Sequence, residues 1–235
     1  MTNLQSSAGW PEDFTNYVRL FPLPNLVLFP HVVQPLHIFE ARYCDLLNES
    51  IKTDRLIGMA LLEKGWEKHY LQRPPIASTI CIAKVLSHTP TEDGRHNILL
   101  VGMKRAVIVR ELDEGLTYRT AEVKLVEDLA VQEQDQQRAQ MFGQLKALFQ
   151  QLMPEGLAVQ QGFQQLLGHQ LPLGVLTDSI SYALNLPLAV KQQLLSECNV
   201  DVRCRLLIRC LQTQLHAKGG DDDRPEDFPP LFSPN

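Results

Sequence analysis

Apolar positions change their period along this chain, which reads in three stretches. The first, "LFPLPNLVLFPHVVQPLHIFEARY" at residues 20–43, is almost continuously apolar, yet Pro22, Pro24, Pro30 and Pro35 remove backbone donors and cut it into short pieces. The pattern predicts a strand over Asn25–Phe29, stopped by Pro30, and an extended segment over Val32–Ile38 around Pro35. From Phe39 the spacing becomes helical, with Phe39, Tyr43, Leu46 and Leu47 on one face and Glu40 in a first turn that favours negative charge. The prolines therefore mark bends between short strands that feed a helix.

Residues 55–126 read as β structure. "RLIGMALLEK", "TICIAKVLSH" and the long "HNILLVGMKRAVIVREL" are apolar strands, and "YRTAEVKLVED" alternates with Ala121, Val123 and Leu125 on one side. "TEDG" ends on Gly94, which supplies the positive φ of a hairpin turn, and Gly102 marks a bulge or sharp bend within the third strand. Consecutive bent strands of this kind predict a small barrel or sandwich.

From about Val131 the period becomes helical. Met141, Leu145, Leu148, Phe149 and Leu152 form one stripe, ended by Pro154, and Val159, Phe163, Leu166 and Leu167 form another. The glutamines between 132 and 170 fill the complementary positions and read as solvated faces. Further helices are predicted at Asp178–Leu184, Ala189–Glu197 and Val202–His216, the last with Asp201 as N-cap. Thus the expected class is α+β, with a β subdomain over 14–128, a helical bundle over 129–217 and a flexible acidic, proline-rich tail over 218–235.

Composition narrows the function. With 235 residues, 44% hydrophobic and 21% charged, the chain has enough apolar material for one large core or two modest ones. A formal charge of −5 argues against general nucleic-acid binding, which needs a basic surplus. The first twenty residues lack a secretory apolar segment and no apolar run approaches eighteen residues, so a cytoplasmic location is expected.

The five cysteines show no C-x-x-C pair, and Cys198, Cys204 and Cys210, six apart, point to three faces of a helix. His31 and His37 have no carboxylate or cysteine to complete a ligand set. No G-x-S-x-G elbow or H-E-x-x-H occurs, and Ser179 beside Asp178 reads as helix-start chemistry. No catalytic residue, metal or cofactor is expected. Glu40 and Arg42, two apart on the expected helix, face different ways and each should find a partner elsewhere. Arg105 follows the expected bulge, where its donors suit tying a loop.

"LPNLVLFPHVVQPLHIFEARY" resembles the opening signature of the N-terminal domain of Lon proteases, and "PPIASTICIAKV", "DGRHNILLVGMKRAVIV" and "YRTAEVKLVED" follow in that family's order. Pro30, Pro35, Phe39, Glu40, Arg42, Tyr43, Gly94, Gly102 and Arg105 are the matched structural positions. "LPLAVKQQLLSECNVDVRCRLLIRCL" is similar to the helical end of that domain, and Ala83 departs from the glycine more usual in its C-x-G-x-I stretch. The resemblance implies a PUA-like β pseudo-barrel followed by a helical bundle, and a module that engages protein substrates. No G-x-x-x-x-G-K-[ST] loop of an attached ATPase is present, so the expectation is a free-standing, Lon N-terminal-like protein. The zinc-bound ligand domain of the cereblon family requires C-x-x-C pairs, and there are none.

Trp66 and Tyr70 sit among charges in "LLEKGWEKHYLQRPP", beside Leu61 and Leu62 at the end of an apolar strand. Aromatic side chains give large contact area at small entropic cost, so these four are the candidate protein-binding residues. The expected function is non-enzymatic binding of an unfolded segment or a specific protein partner, by apolar contacts and strand-edge pairing. The alternative is an RNA-binding PUA-like protein, supported by Lys104, Arg105, Arg110, Arg203, Arg205 and Arg209. A hydrolase with an unrecognised site is the third reading.

Overall fold

The structure is a computed structural model that describes residues 9–69, 72–129, 135–152 and 171–218. The described residues form two compact units, the first through Glu127 and the second from Asp128.

The first unit is built on six strands and one helix: β1 Tyr17–Leu23, β2 Val33–Ile38, α1 Ala41–Lys52, β3 Leu56–Leu61, β4 Thr79–Pro90, β5 His96–Leu112 and β6 Arg119–Val126. The sheet order is β2-β5-β4-β3-β1-β6, and an additional β5–β6 pairing closes it into a barrel. One strand, β5, makes closure possible. Its first half pairs with β2 from His96 to Val101, and its second half pairs with β6 from Arg105 to Leu112. The change of partner coincides with a register shift, where Ile82 faces Lys104 but Ala83 faces Gly102. Gly102 is therefore at a bulge, and a Cβ there would lie 2.0 Å from the carbonyl oxygen of Phe29, so only glycine lets the two backbones meet. Val18, Leu20, Leu56, Ile80, Ile82 and Val123 are at the centre of an apolar core.

The prolines behave differently from the pattern's expectation. Asn25–Phe29 is not a strand; Val27, Leu28 and Phe29 are buried without joining the ladder. The strand lies earlier, at Tyr17–Leu23, and contains Pro22. Pro22 is tolerated because β6 pairs with β1 only as far as Leu20, leaving β3 as its strand neighbour. Likewise, α1 begins at Ala41, so Phe39 is outside it, 44% exposed and stacked on His37. Gly94 has φ 76° in the β4–β5 turn.

The second unit contains α2 Asp135–Leu152, α3 Leu173–Ala183, α4 Leu188–Ser196 and α5 Val200–Lys218. Met141, Leu145, Phe149 and Leu152 are buried as the stripe requires, whereas Val159, Phe163, Leu166, Leu167 and the tail lie outside the described residues. The helix expected from Asp178 starts at Leu173, which puts Asp178 and Ser179 in its interior; Ser179 Oγ donates to the Val175 carbonyl. Asp201 is not the N-cap of α5. Asn199 is, accepting from the Asp201 and Val202 amides at 3.0 and 3.1 Å. Asp201 instead meets Arg138, with Nε and Nη2 at 3.0 and 2.8 Å.

Candidate binding site

An open groove of about 700 Å³ lies between the start of α1, residues 72–74 and residues 116–119 of the first unit. Its apolar lining is Pro22, Ala41, Tyr43, Pro74, Leu116 and Tyr118, of which Ala41 and Leu116 are exposed and the others buried beneath them. Three segments distant in sequence meet here, and hydrogen bonds brace them. Tyr43 donates to the Pro22 carbonyl at 3.2 Å, Thr117 Oγ1 to Asp45 Oδ2 at 2.8 Å, and Arg119 Nη1 to the Pro74 carbonyl at 2.7 Å.

Each arginine on the groove is matched by an acid. Arg42 donates to Glu40 Oε2 at 3.0 and 2.8 Å, Arg119 bonds Glu111, and Arg73 pairs with Asp113 at 3.2 Å. The Glu40–Arg42 contact reverses the expectation that these residues look apart. Glu40 has extended backbone at the N-cap (ψ 131°), and this turns its carboxylate back towards Arg42. The groove is thus an apolar surface rimmed by balanced charge.

The four candidate contact residues separate. Leu62 is 5% exposed; it donates its amide to the Leu23 carbonyl and bridges to Ile76, so it belongs to the fold and offers no contact surface. Leu61 closes β3 and is half-buried, Trp66 opens a 3-10 helix over Trp66–His69 and is half-buried, and Tyr70 lies outside the described residues. The loop that carries Trp66 leads to residues 72–74, one wall of the groove. Sequence reasoning missed Leu116, 42% exposed on the opposite wall, because a single leucine in "DEGLTY" has no periodic context.

A strand edge is also available at β2, although it is guarded. The Gly102 amide donates to the Val32 carbonyl, so in this antiparallel register the even-numbered residues of β2 bond β5 and Val33, Pro35 and His37 face outward. Pro35 therefore interrupts the outward edge where an added strand would need a donor.

The cations that favoured RNA are largely committed. Lys104 bonds Glu127 at 2.6 Å, Arg110 bonds Glu122 at 2.7 Å, and Arg105 is buried. Arg203 is fully buried, donating to Asp128 at 3.0 and 2.7 Å and to the Glu197 carbonyl at 2.6 Å. Arg205 and Arg209 are exposed, one turn apart on α5. Among the described residues no group of three or more His, Cys, Asp or Glu is arranged to hold a metal, and no helix is long and apolar enough to cross a membrane.

Comparison with known proteins agrees with this architecture. The Lon protease of Aquifex aeolicus is 25% identical over 198 residues, covering 83% of this chain and 25% of that protein. That of Anaeromyxobacter dehalogenans is 25% identical over 207 residues, covering 85% of this chain and 23% of that protein. The chain thus spans about a quarter of the length of these curated relatives. Among solved structures, the N-terminal domain of Mycobacterium avium complex Lon protease superposes with a TM-score of 0.63 at 20% identity, covering 83% of this chain and 98% of that one. A Lon N-terminal domain protein from Xanthomonas campestris gives 0.60 at 21% identity, covering 82% and 97%. The α+β fold is therefore that of Lon N-terminal domains. The family model for the substrate-binding domain of the ATP-dependent protease La (LON) matches residues 17–213, and the chain belongs to that family.

Proposed function

We propose that this chain is a non-enzymatic module that binds unfolded polypeptide in the groove between α1, residues 72–74 and residues 116–119. The observation that carries this reading is the apolar groove whose three arginines are each already paired with a carboxylate. Such a surface attracts apolar side chains in an extended chain and gives a phosphate backbone no uncompensated charge. The family's substrate-binding role supports the same reading. Recognition through the β2 edge is the weaker route, because Pro35 breaks the ladder. An RNA-binding role is disfavoured by the acids that hold Lys104, Arg110 and Arg203.

Amide hydrogen exchange tests the assignment. With a permanently unfolded client such as reduced, carboxymethylated lactalbumin, protection is expected at residues 40–43, 72–74 and 116–119. Protection confined to β2, or none, would refute the groove.

A further inference from the structure

The outer edge of β2 suits a second copy of this chain better than it suits an arbitrary strand. Among the described residues β2 has one strand neighbour, β5, and the backbone groups of Val33, Pro35 and His37 point away from it. The stretch that can pair has definite ends. His31 takes a left-handed backbone, φ 66°, inside a turn, and α1 begins at Ala41 with Glu40 as its N-cap. Phe39 continues the alternation past the last ladder residue, since its ring stacks on that of His37, two residues back on the same face. The outward positions open to a partner are therefore Val33, Pro35, His37 and Phe39, and their midpoint is Leu36.

No lysine, arginine or carboxylate lies between Val33 and Phe39, so this edge lacks the charge that commonly keeps strand edges apart. Its outward side chains are largely apolar, with Val33 47% and Phe39 44% exposed and Pro35 exposed between them. On the other face Leu36 is half-buried, although Gln34 and Ile38 on either side of it are buried. The proline then decides which pairing of two copies is possible. With a two-fold axis at Pro35, two prolyl carbonyls face each other without a donor between them. With the axis at Gln34, His37 would need His31, which is in the turn, and with the axis at His37, Val33 would need Ala41, which is already in α1. Only an axis at Leu36 uses the whole stretch.

We propose that β2 pairs antiparallel with β2 of a second copy about a two-fold axis at Leu36, which joins the two β units into one continuous sheet. Val33 of each copy lies opposite Phe39 of the other and exchanges both backbone hydrogen bonds with it. His37 lies opposite Pro35, where its amide donates to the prolyl carbonyl; its own carbonyl is left to water. An aromatic residue opposite a β-branched one is a favourable cross-strand pair, so the two exposed apolar side chains of the edge cover each other. Leu36 meets its own copy at the axis in the close, non-hydrogen-bonded position. Both strands are ordered before they meet, and this spares the ordering cost that an unfolded client would bring to the same edge.

Analytical ultracentrifugation of the full chain should show the 26.6 kDa species passing to twice that mass as concentration rises, with amide exchange slowing at Val33, His37 and Phe39 in step. Val33→Lys charges an exposed side chain, so it should keep the wild-type melting temperature and weaken association by about tenfold or more. Cross-linking reads the register. Val33→Cys mixed with Phe39→Cys should give a disulfide-linked dimer of the two variants under mild oxidation, because opposite residues of a hydrogen-bonded pair are within disulfide reach. Either variant alone should cross-link no more than the wild type, whose native cysteines set the background. A chain that stays monomeric at the concentrations of NMR spectroscopy, association untouched by Val33→Lys, or a Val33→Cys self-cross-link as strong as the mixed one would overturn the proposal. Protection of the same amides that follows added carboxymethylated lactalbumin rather than chain concentration would give the edge to a client and also overturn it.

Discussion

The β unit and the helical unit solve the problem of a core in opposite ways. The barrel encloses apolar side chains around Val18, Leu20, Ile80 and Ile82; it also buries Arg19 and Arg105, but Arg19 bonds Thr53 and Asp54, a carboxylate that stays part-exposed. The helical unit instead buries both members of an ion pair. Arg203 is 0% and Asp178 1% exposed, with Nε 3.1 Å from Asp178 Oδ1 as an ion pair outside hydrogen-bond alignment. Burial alone would push the arginine's pKa down, but the Asp128 bonds and the Asp178 charge outweigh it, and the pKa is raised. Gly174 makes room, since a Cβ there would lie 2.8 Å from Asp128 Oδ2. An apolar core loses stability gradually as methylenes are removed, whereas a charged core fails when one partner is lost.

The largest expected effect follows from that difference. Arg203→Met strands Asp178 and Asp128 and should destabilise the helical unit by about 3–5 kcal/mol. Hydrogen exchange should show its helices opening while the barrel amides remain protected. Uniform loss of protection in both units would break the contrast.

Gly102→Ala attacks the barrel instead. The new methyl meets the Phe29 backbone, which cannot turn aside as a side chain can, so a loss of about 3 kcal/mol is expected from overpacking. Chemical denaturation should place that loss in the β strands. A wild-type midpoint would show that the bulge has slack.

Trp66→Ala sharpens the division between site and fold. Trp66 is half-buried in a loop, so a client contact would cost about 1–3 kcal/mol in affinity with little change in melting temperature. A fall in melting temperature with unchanged affinity would assign the side chain to packing alone.

The smallest effects are in the alkaline range. Burial lowers Lys191 to about 8, so between pH 8 and 9 the unfolded chain binds more protons than the folded one and stability rises with pH; above pH 9 Cys204, pushed up to about 11 by burial, offsets the rise. Burial and the Glu114 hydrogen bond raise Tyr17 to about 12, so between pH 10 and 12 the unfolded chain ionises first and stability falls. Denaturation midpoints across pH 7–11 check both. Lys191→Met should flatten the rise, and a rise that persists in that variant would remove Lys191 as its source.

What the sequence revealed follows from the range of each interaction. The four later strands, the turn at Gly94 and the bulge at Gly102 are local events, legible in period and glycine placement. β1 was hidden because Pro22 argues against a strand unless one knows that β6 stops short of it. The start of α3 was missed because Leu173–Thr177 carries no cap signal; its N-cap is Pro172, without a side-chain bond. Arg203 and Asp128 are 75 positions apart, and nothing in either neighbourhood announces the pair. The groove is less legible still, because Tyr43, Pro74 and Leu116 are brought together only by barrel closure.

The central claim is that the groove binds unfolded polypeptide, and fluorescence anisotropy of a labelled, carboxymethylated lactalbumin fragment tests it most directly. Leu116→Asp places a charge on the exposed groove wall, and Val109→Asp places the same charge on β5 at a site 58% exposed and outside the groove. Both variants should melt with the wild type. The account predicts that Leu116→Asp weakens binding at least tenfold while Val109→Asp stays within about twofold, a gap of roughly 1 kcal/mol or more. Equal effects from the two substitutions, or no binding by the wild-type chain, would contradict it.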